Sequence, residues 1–166
     1  GGNDLEIYHD GSNSYIDEGG TGNLLIRGSE VVLGNAAKKG VRVIADGAVE
    51  LRHNDSKKIE TNTNGVAVTG AATGTLTTDN DGSFDMAASN NFKCTPSGNF
   101  TLTFTNIVSQ SGNILLVNSG GHTVSAHTNS KVDANLLATV STAGTYLISY
   151  FSDGTNVYLT NSAAYT

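Results

Sequence analysis

The sequence predicts an all-β protein in two parts, a short-strand repeat shaft that is trimeric and intertwined or stacked, followed by a small β-sandwich domain. Three observations carry the prediction. Short runs of alternating or β-branched residues recur between Gly, Asn, Asp and Ser, and no run holds the 3.6-residue helical period for three turns. One stretch, Asp4-Leu-Glu-Ile-Tyr-His-Asp-Gly-Ser-Asn-Ser-Tyr-Ile16, recurs in outline as Ala48-Val-Glu-Leu-Arg-His-Asn-Asp-Ser-Lys-Lys-Ile59. Finally, the composition changes part-way along. Of the eleven aromatic residues only Tyr8 and Tyr15 precede Phe84, while seven of the nine Lys and Arg lie before residue 60. These place a shaft at 1–75, a linker at 76–81 and a β-sandwich knob at 82–166.

In the repeat, Leu5, Ile7 and His9 fall on one strand face and Glu6 and Tyr8 on the other, and Val49, Leu51 and His53 keep the same parity. Each copy reads as a short strand running into a polar turn, and repetition at a fixed spacing marks a stacked or elongated array. Further strands are expected at Asn23–Arg27, Val31–Leu33, Val41–Ala45 and Val66–Thr69. Apolar anchors come only every three or four residues. Burying one Val or Leu yields about 1.5–3 kcal/mol, whereas ordering each residue costs on the order of 1.5 kcal/mol. A lone copy of this segment therefore lacks the means to fold. Burial has to come from stacking along an axis or from other chains, most simply three copies around a three-fold axis.

The second segment reads differently. Phe100-Thr-Leu-Thr-Phe-Thr105 alternates cleanly, with Phe100, Leu102 and Phe104 inward. Gly112-Asn-Ile-Leu-Leu-Val-Asn118 is apolar on both parities, the pattern of a strand covered on two faces. Tyr146–Phe151 and Asn156–Thr160 flank an Asp-Gly turn and predict a hairpin. Leu136–Val140 fits a strand or one helical turn. Five to seven strands with such a core can fold as a unit.

The balance of charge excludes one class of partner. Charged residues make up 14% of the chain and the net charge is -6, against the clustered Lys and Arg that nucleic acid requires. Cys94 stands alone in a strand-like run and reads as a small buried apolar residue, so no intramolecular disulfide framework exists. No apolar stretch is long enough to span a bilayer, and no signal peptide is evident. With no Met at the first position and a start in mid-pattern, the chain reads as a piece of something longer.

The quoted repeats, together with Gly65-Val-Ala-Val-Thr-Gly70, resemble those of tail-fibre proteins from tailed bacteriophages, marine ones in particular. Gly98-Asn-Phe-Thr-Leu-Thr-Phe-Thr-Asn106 and Gly144-Thr-Tyr-Leu-Ile-Ser-Tyr-Phe-Ser-Asp-Gly-Thr-Asn-Val-Tyr158 are similar to a β domain near the ends of such fibres. The resemblance implies a homotrimeric virion appendage whose partners are itself, other tail or baseplate proteins and a host cell-surface glycan. It implies neither a cofactor nor membrane insertion. The alternative reading is a carbohydrate-binding module of a bacterial surface adhesin.

Candidate sites are few. His9 and His53 lie in line with the apolar faces of their strands. In a trimer they would form an axial polar layer able to hold a metal or anion, while the simpler reading has each imidazole end its strand and bond to the next turn. Asp79-Asn-Asp-Gly-Ser-Phe-Asp85 has the carboxylate density of a calcium loop, but glycine falls at position four and Asn90 at position twelve, so the EF-hand pattern fails. His122 and His127, five apart, fall on opposite strand faces, Ser125 between them lies in no nucleophile elbow, and Trp is absent. A non-enzymatic role is expected. The turn Asp153-Gly-Thr-Asn156 with Tyr158 offers hydroxyl, amide and aromatic groups for a receptor glycan, with Asp153, Asn156 and Tyr158 as the candidate residues.

Overall fold

Each copy of the repeat folds as a β-hairpin. In the computed structural model, which describes residues 4–35, 37–133 and 135–165, β1 (Leu5–His9) pairs antiparallel with β2 (Ser14–Glu18). The connecting turn is closed by Asp10, whose Oδ1 accepts the backbone N–H groups of Ser12 and Asn13, each at 2.8 Å. Next in order come β3 (Glu30–Asn35), β4 (Lys38–Ile44), β5 (Val49–His53), β6 (Ser56–Asn62) and β7 (Gly65–Val68). They form one antiparallel meander in sequence order. The second repeat copy is the β5–β6 hairpin. Its two-residue turn, Asn54-Asp55, has both residues at positive φ, 50° and 62°, as the twist of a tight hairpin demands.

Three expectations are corrected here. The return strands β2 and β6 stand where only a polar turn was foreseen. Asn23–Arg27 pairs with no strand: its apolar residues Leu24, Leu25 and Ile26 are consecutive rather than alternating, and all are exposed. The stretch 76–81 contains β8 (Leu76–Thr78), which pairs with a strand further on. The chain divides into two compact units at Gly1–Ala72 and Thr73–Thr166, so β8 belongs to the second.

The second unit continues with β9 (Ser83–Asp85), β10 (Asn91–Cys94), β11 (Phe100–Thr105), β12 (Ser109–Asn118), β13 (Val124–Ala126) and β14 (Ser130–Val132). After these come α1 (Leu136–Val140), β15 (Gly144–Asp153) and β16 (Val157–Asn161). Two sheets hold these strands, one six-stranded in the order β14-β16-β15-β12-β10-β8, the other three-stranded in the order β13-β11-β9. From β8 to β14 successive strands alternate between the sheets. Every second strand therefore runs the same way, and β10 pairs parallel with both β8 and β12, as β11 does with β9 and β13. The antiparallel hairpin β15–β16 then completes the larger sheet against β12.

Both sheets line one core. Phe84 packs across on Phe92 at 5.2 Å between ring centroids, and Phe104 on Tyr150 at 5.2 Å. Phe100, Leu102 and Phe104 point inward as the alternation predicts, and Leu136 and Val140 of α1 close one side. In β12, Ile114 and Leu116 are buried but Leu115 and Val117 are only half-buried, so one face of that strand is covered rather than two. At Gly112 a Cβ would fall 1.8 Å from the Asn90 carbonyl oxygen, so only glycine fits. Asn118 is fully buried. Its Nδ2 donates to the carbonyls of His122 and Val140 at 2.8 and 2.9 Å, and its Oδ1 accepts from the His122 N–H. Cys94 is sealed in the core, and burial pushes its thiol up to about 12. That removes it as a nucleophile at neutral pH.

Candidate functional site

Two surfaces stand out, one on each unit. On the meander, the cross-strand register lines up Leu33, Val41, Leu51, Ile59 and Val68 in one row over all five strands. A second row on the same face holds Val31, Val43 and Val49, then Thr61 beside Val66. Leu33 is 59% exposed and Leu51 44%. The opposite face is charged and internally matched. Arg42 Nε donates to Glu30 Oε1 at 2.7 Å, Arg52 Nε donates to Glu50 Oε2 at 2.9 Å, and Lys57 pairs with Glu60. Hydrogen bonding from Arg42 holds Glu30 down to about 2, and Arg52 lowers Glu50 in the same way. One face is thus satisfied within the chain and the other is an uncovered apolar sheet.

The second surface is an open cleft of about 530 Å³ on the outer face of the six-stranded sheet. Since Ile148, Tyr150 and Ser152 of β15 are buried, Ser149 and Phe151 between them face outward. The register sets Tyr158 of β16 beside Phe151, and Lys131 of β14 beside Tyr158. Phe151 is 54% exposed and Tyr158 47%. Two residue pairs along, Ser149 lies beside Thr160, and its hydroxyl donates to Asn113 Oδ1 at 2.8 Å. Lys131 Nζ donates to the Thr128 carbonyl at 2.7 Å, and Asp133 Oδ1 accepts the Asn135 N–H at 2.8 Å. Both of these charged groups line the cleft.

The residues expected around the Asp153-Gly154 turn divide between two tasks. Asp153 Oδ1 accepts the N–H groups of Thr155 and Asn156 at 2.8 and 2.7 Å, and Oδ2 accepts the Tyr158 hydroxyl at 3.1 Å. These bonds, led by that from Asn156, hold the Asp153 carboxyl below its ordinary range, and Asp153 in turn raises the Tyr158 phenol. Asp153 and Asn156 shape the turn, and Tyr158 carries its ring into the cleft. Phe151 and Lys131, absent from the sequence-level candidates, join it there.

A signal for Phe151 was present in the sequence. Tyr8-His-Asp10-Gly-Ser-Asn-Ser-Tyr15 and Phe151-Ser-Asp153-Gly-Thr-Asn-Val-Tyr158 share one pattern, an aromatic pair bracketing an Asp-Gly turn. Both fold alike, with the aromatics opposite one another and the second Tyr donating to the Asp carboxylate, at 2.8 Å in the first hairpin. The rings differ. Tyr8 and Tyr15 stack at 4.8 Å with 15° between planes. Among the described residues no comparable stack joins Phe151 to Tyr158.

His9 and His53 are both exposed. His9 Nδ1 lies 3.2 Å from Ser14 Oγ across the hairpin, and His53 sits opposite Ser56. In the acidic stretch, Asp85 accepts from the Ala87 N–H and from Asn106 Nδ2, each at 2.9 Å, and Asp81 accepts from the Ser83 N–H. These carboxylates serve their turns.

No family model, curated protein or solved structure matches this chain.

Proposed function

We propose that this chain is a structural virion protein, a homotrimeric segment of a phage tail fibre that contributes to attachment at the host surface. The observation that carries the reading is the uncovered apolar face of the meander. In Gly1–Ala72 the paired strands bury no apolar side chain fully, and Glu50 is the buried side chain there among the described residues. A sheet with one face matched by ion pairs and the other apolar over five strands lacks a second apolar layer. Other copies of the same chain are the partner always present in equal number, and closed symmetry is the common solution. The tail-fibre resemblance of the two repeats supplies the virion setting, and the work proposed is mechanical and adhesive rather than catalytic.

The runner-up, an adhesin module, draws on the second unit, which carries a complete core of its own. Sedimentation equilibrium separates the two. Residues 1–166 are expected near three times 17.1 kDa, with a fragment starting at Thr73 monomeric. A monomeric, cooperatively folded full chain would sink the fibre reading and leave the adhesin module.

A further inference from the structure

We infer that the cleft between Phe151, Tyr158 and Lys131 is a binding site for a neutral pyranose ring. The inference deepens the attachment role proposed above and rests on it only for its biological setting. The C–H face of a pyranose is weakly electropositive and pairs with the electron-rich face of an aromatic ring. Phe151 and Tyr158 are side by side on adjacent strands and outward-facing, and neither ring is stacked on the other. Their counterparts Tyr8 and Tyr15 stack together, so the same hairpin pattern does not present the same open surface there.

The surrounding groups select the same ligand. A sugar hydroxyl both donates and accepts, and Thr160 and Ser149 offer hydroxyls two residue pairs from the rings. Lys131 retains donors beyond its bond to Thr128, and Asp133 retains Oδ2 as an acceptor. Their opposite charges leave the rim balanced, which favours a neutral ligand over an anion or a basic peptide. The volume, about 530 Å³, falls in the usual range for small-ligand pockets. The Asp153 bond to the Tyr158 hydroxyl fixes the platform beforehand, so less order has to be imposed on binding.

The test uses saturation-transfer NMR on residues 1–166. The probes are the methyl pyranosides of glucose, galactose and mannose, together with N-acetylglucosamine. Transfer is expected to at least one probe, concentrated on the protons of one ring face. Phe151→Ser is expected to weaken it about tenfold or more, as loss of an aromatic anchor does, while Phe151→Trp retains it. No transfer to any of the four probes overturns the site, as does transfer unchanged by Phe151→Ser. Native mass is measured on the same samples. A mass lowered by Phe151→Ser makes the cleft a contact between copies and overturns the site too. A trimer without transfer loses the site and keeps the fibre, whereas a monomer whose sugar binding depends on Phe151 keeps the site and loses the fibre.

Discussion

The two units use the same strand-forming chemistry and reach opposite states of burial. From Phe84 onward, alternating strands from two sheets meet in a core of aromatic and branched side chains, with Phe84, Phe92 and Ile148 essentially inaccessible. In the meander the alternation is just as regular, yet Leu33, Leu51, Val66 and Val68 all stand exposed. The difference lies in layers rather than in strand propensity. Strands that alternate between two sheets bring their own opposing layer, whereas a meander that pairs only sequential neighbours makes one layer and leaves its apolar side for something else to cover.

The largest effect that would sharpen this contrast is Phe84→Ala. Its ring meets Phe92 across the core and Phe104 beside it on the neighbouring strand, and its removal should cost the second unit about 3–5 kcal/mol. Denaturant unfolding of the fragment 73–166 would show it, and an unshifted midpoint would mean the core is not where its stability lies. Asn118→Ala comes next. It leaves the carbonyls of His122 and Val140 and the His122 N–H without their partner, for a loss of about 2 kcal/mol in the same measurement.

Leu51→Ser probes the other half. Within one chain it removes little buried area, so the transition of the second unit should stay put while the native mass of residues 1–166 falls. An unchanged mass would put the contacts between copies elsewhere.

The smallest effect is acid sensitivity at the turns. Asp10 and Asp153 are both held below the ordinary carboxylate range by backbone N–H donors. Their contribution to stability is therefore full above the unfolded carboxylate value, about 3.9, and is lost as pH falls through the lower folded value. Asp153→Asn should flatten the decline in melting temperature of the fragment 73–166 between about pH 5 and pH 2. An identical slope in the variant would remove the turn from the acid response.

Much of this architecture is readable in the residues, and the remainder fails for identifiable reasons. The β15–β16 hairpin is announced by Asp153-Gly154, and the inward set of β11 by its Phe-Thr alternation. The return strands β2 and β6 are hidden because each holds a single aliphatic residue, Ile16 and Ile59, in a polar run. β8 is hidden because Leu76 is the one apolar residue in three, and its place is set by pairing with β10. At the cleft, Tyr158 follows from the turn chemistry. Phe151 is legible only through the Asp-Gly pattern it shares with Tyr8, since its neighbour Tyr150 leaves open which of the two faces outward. Lys131 comes from β14, and only the parallel register with β16 brings it to Tyr158. The apolar rows of the meander are likewise a product of register, which no single strand contains.

The insertion of β16 between β14 and β15 has a consequence for how the chain is made. Each strand of the meander pairs with its sequential neighbours, so its ladders close only short loops. β14 has no sheet partner until β16 is made, because Val157, which is wholly buried, and Leu159 fill the gap between its edge and β15. The second unit thus holds its larger sheet open through most of its own translation and seals with its last strand in chain order. A ribosome that stalls before Val157 would release a molecule whose sandwich is unsealed, and that is the species a quality-control protease would meet.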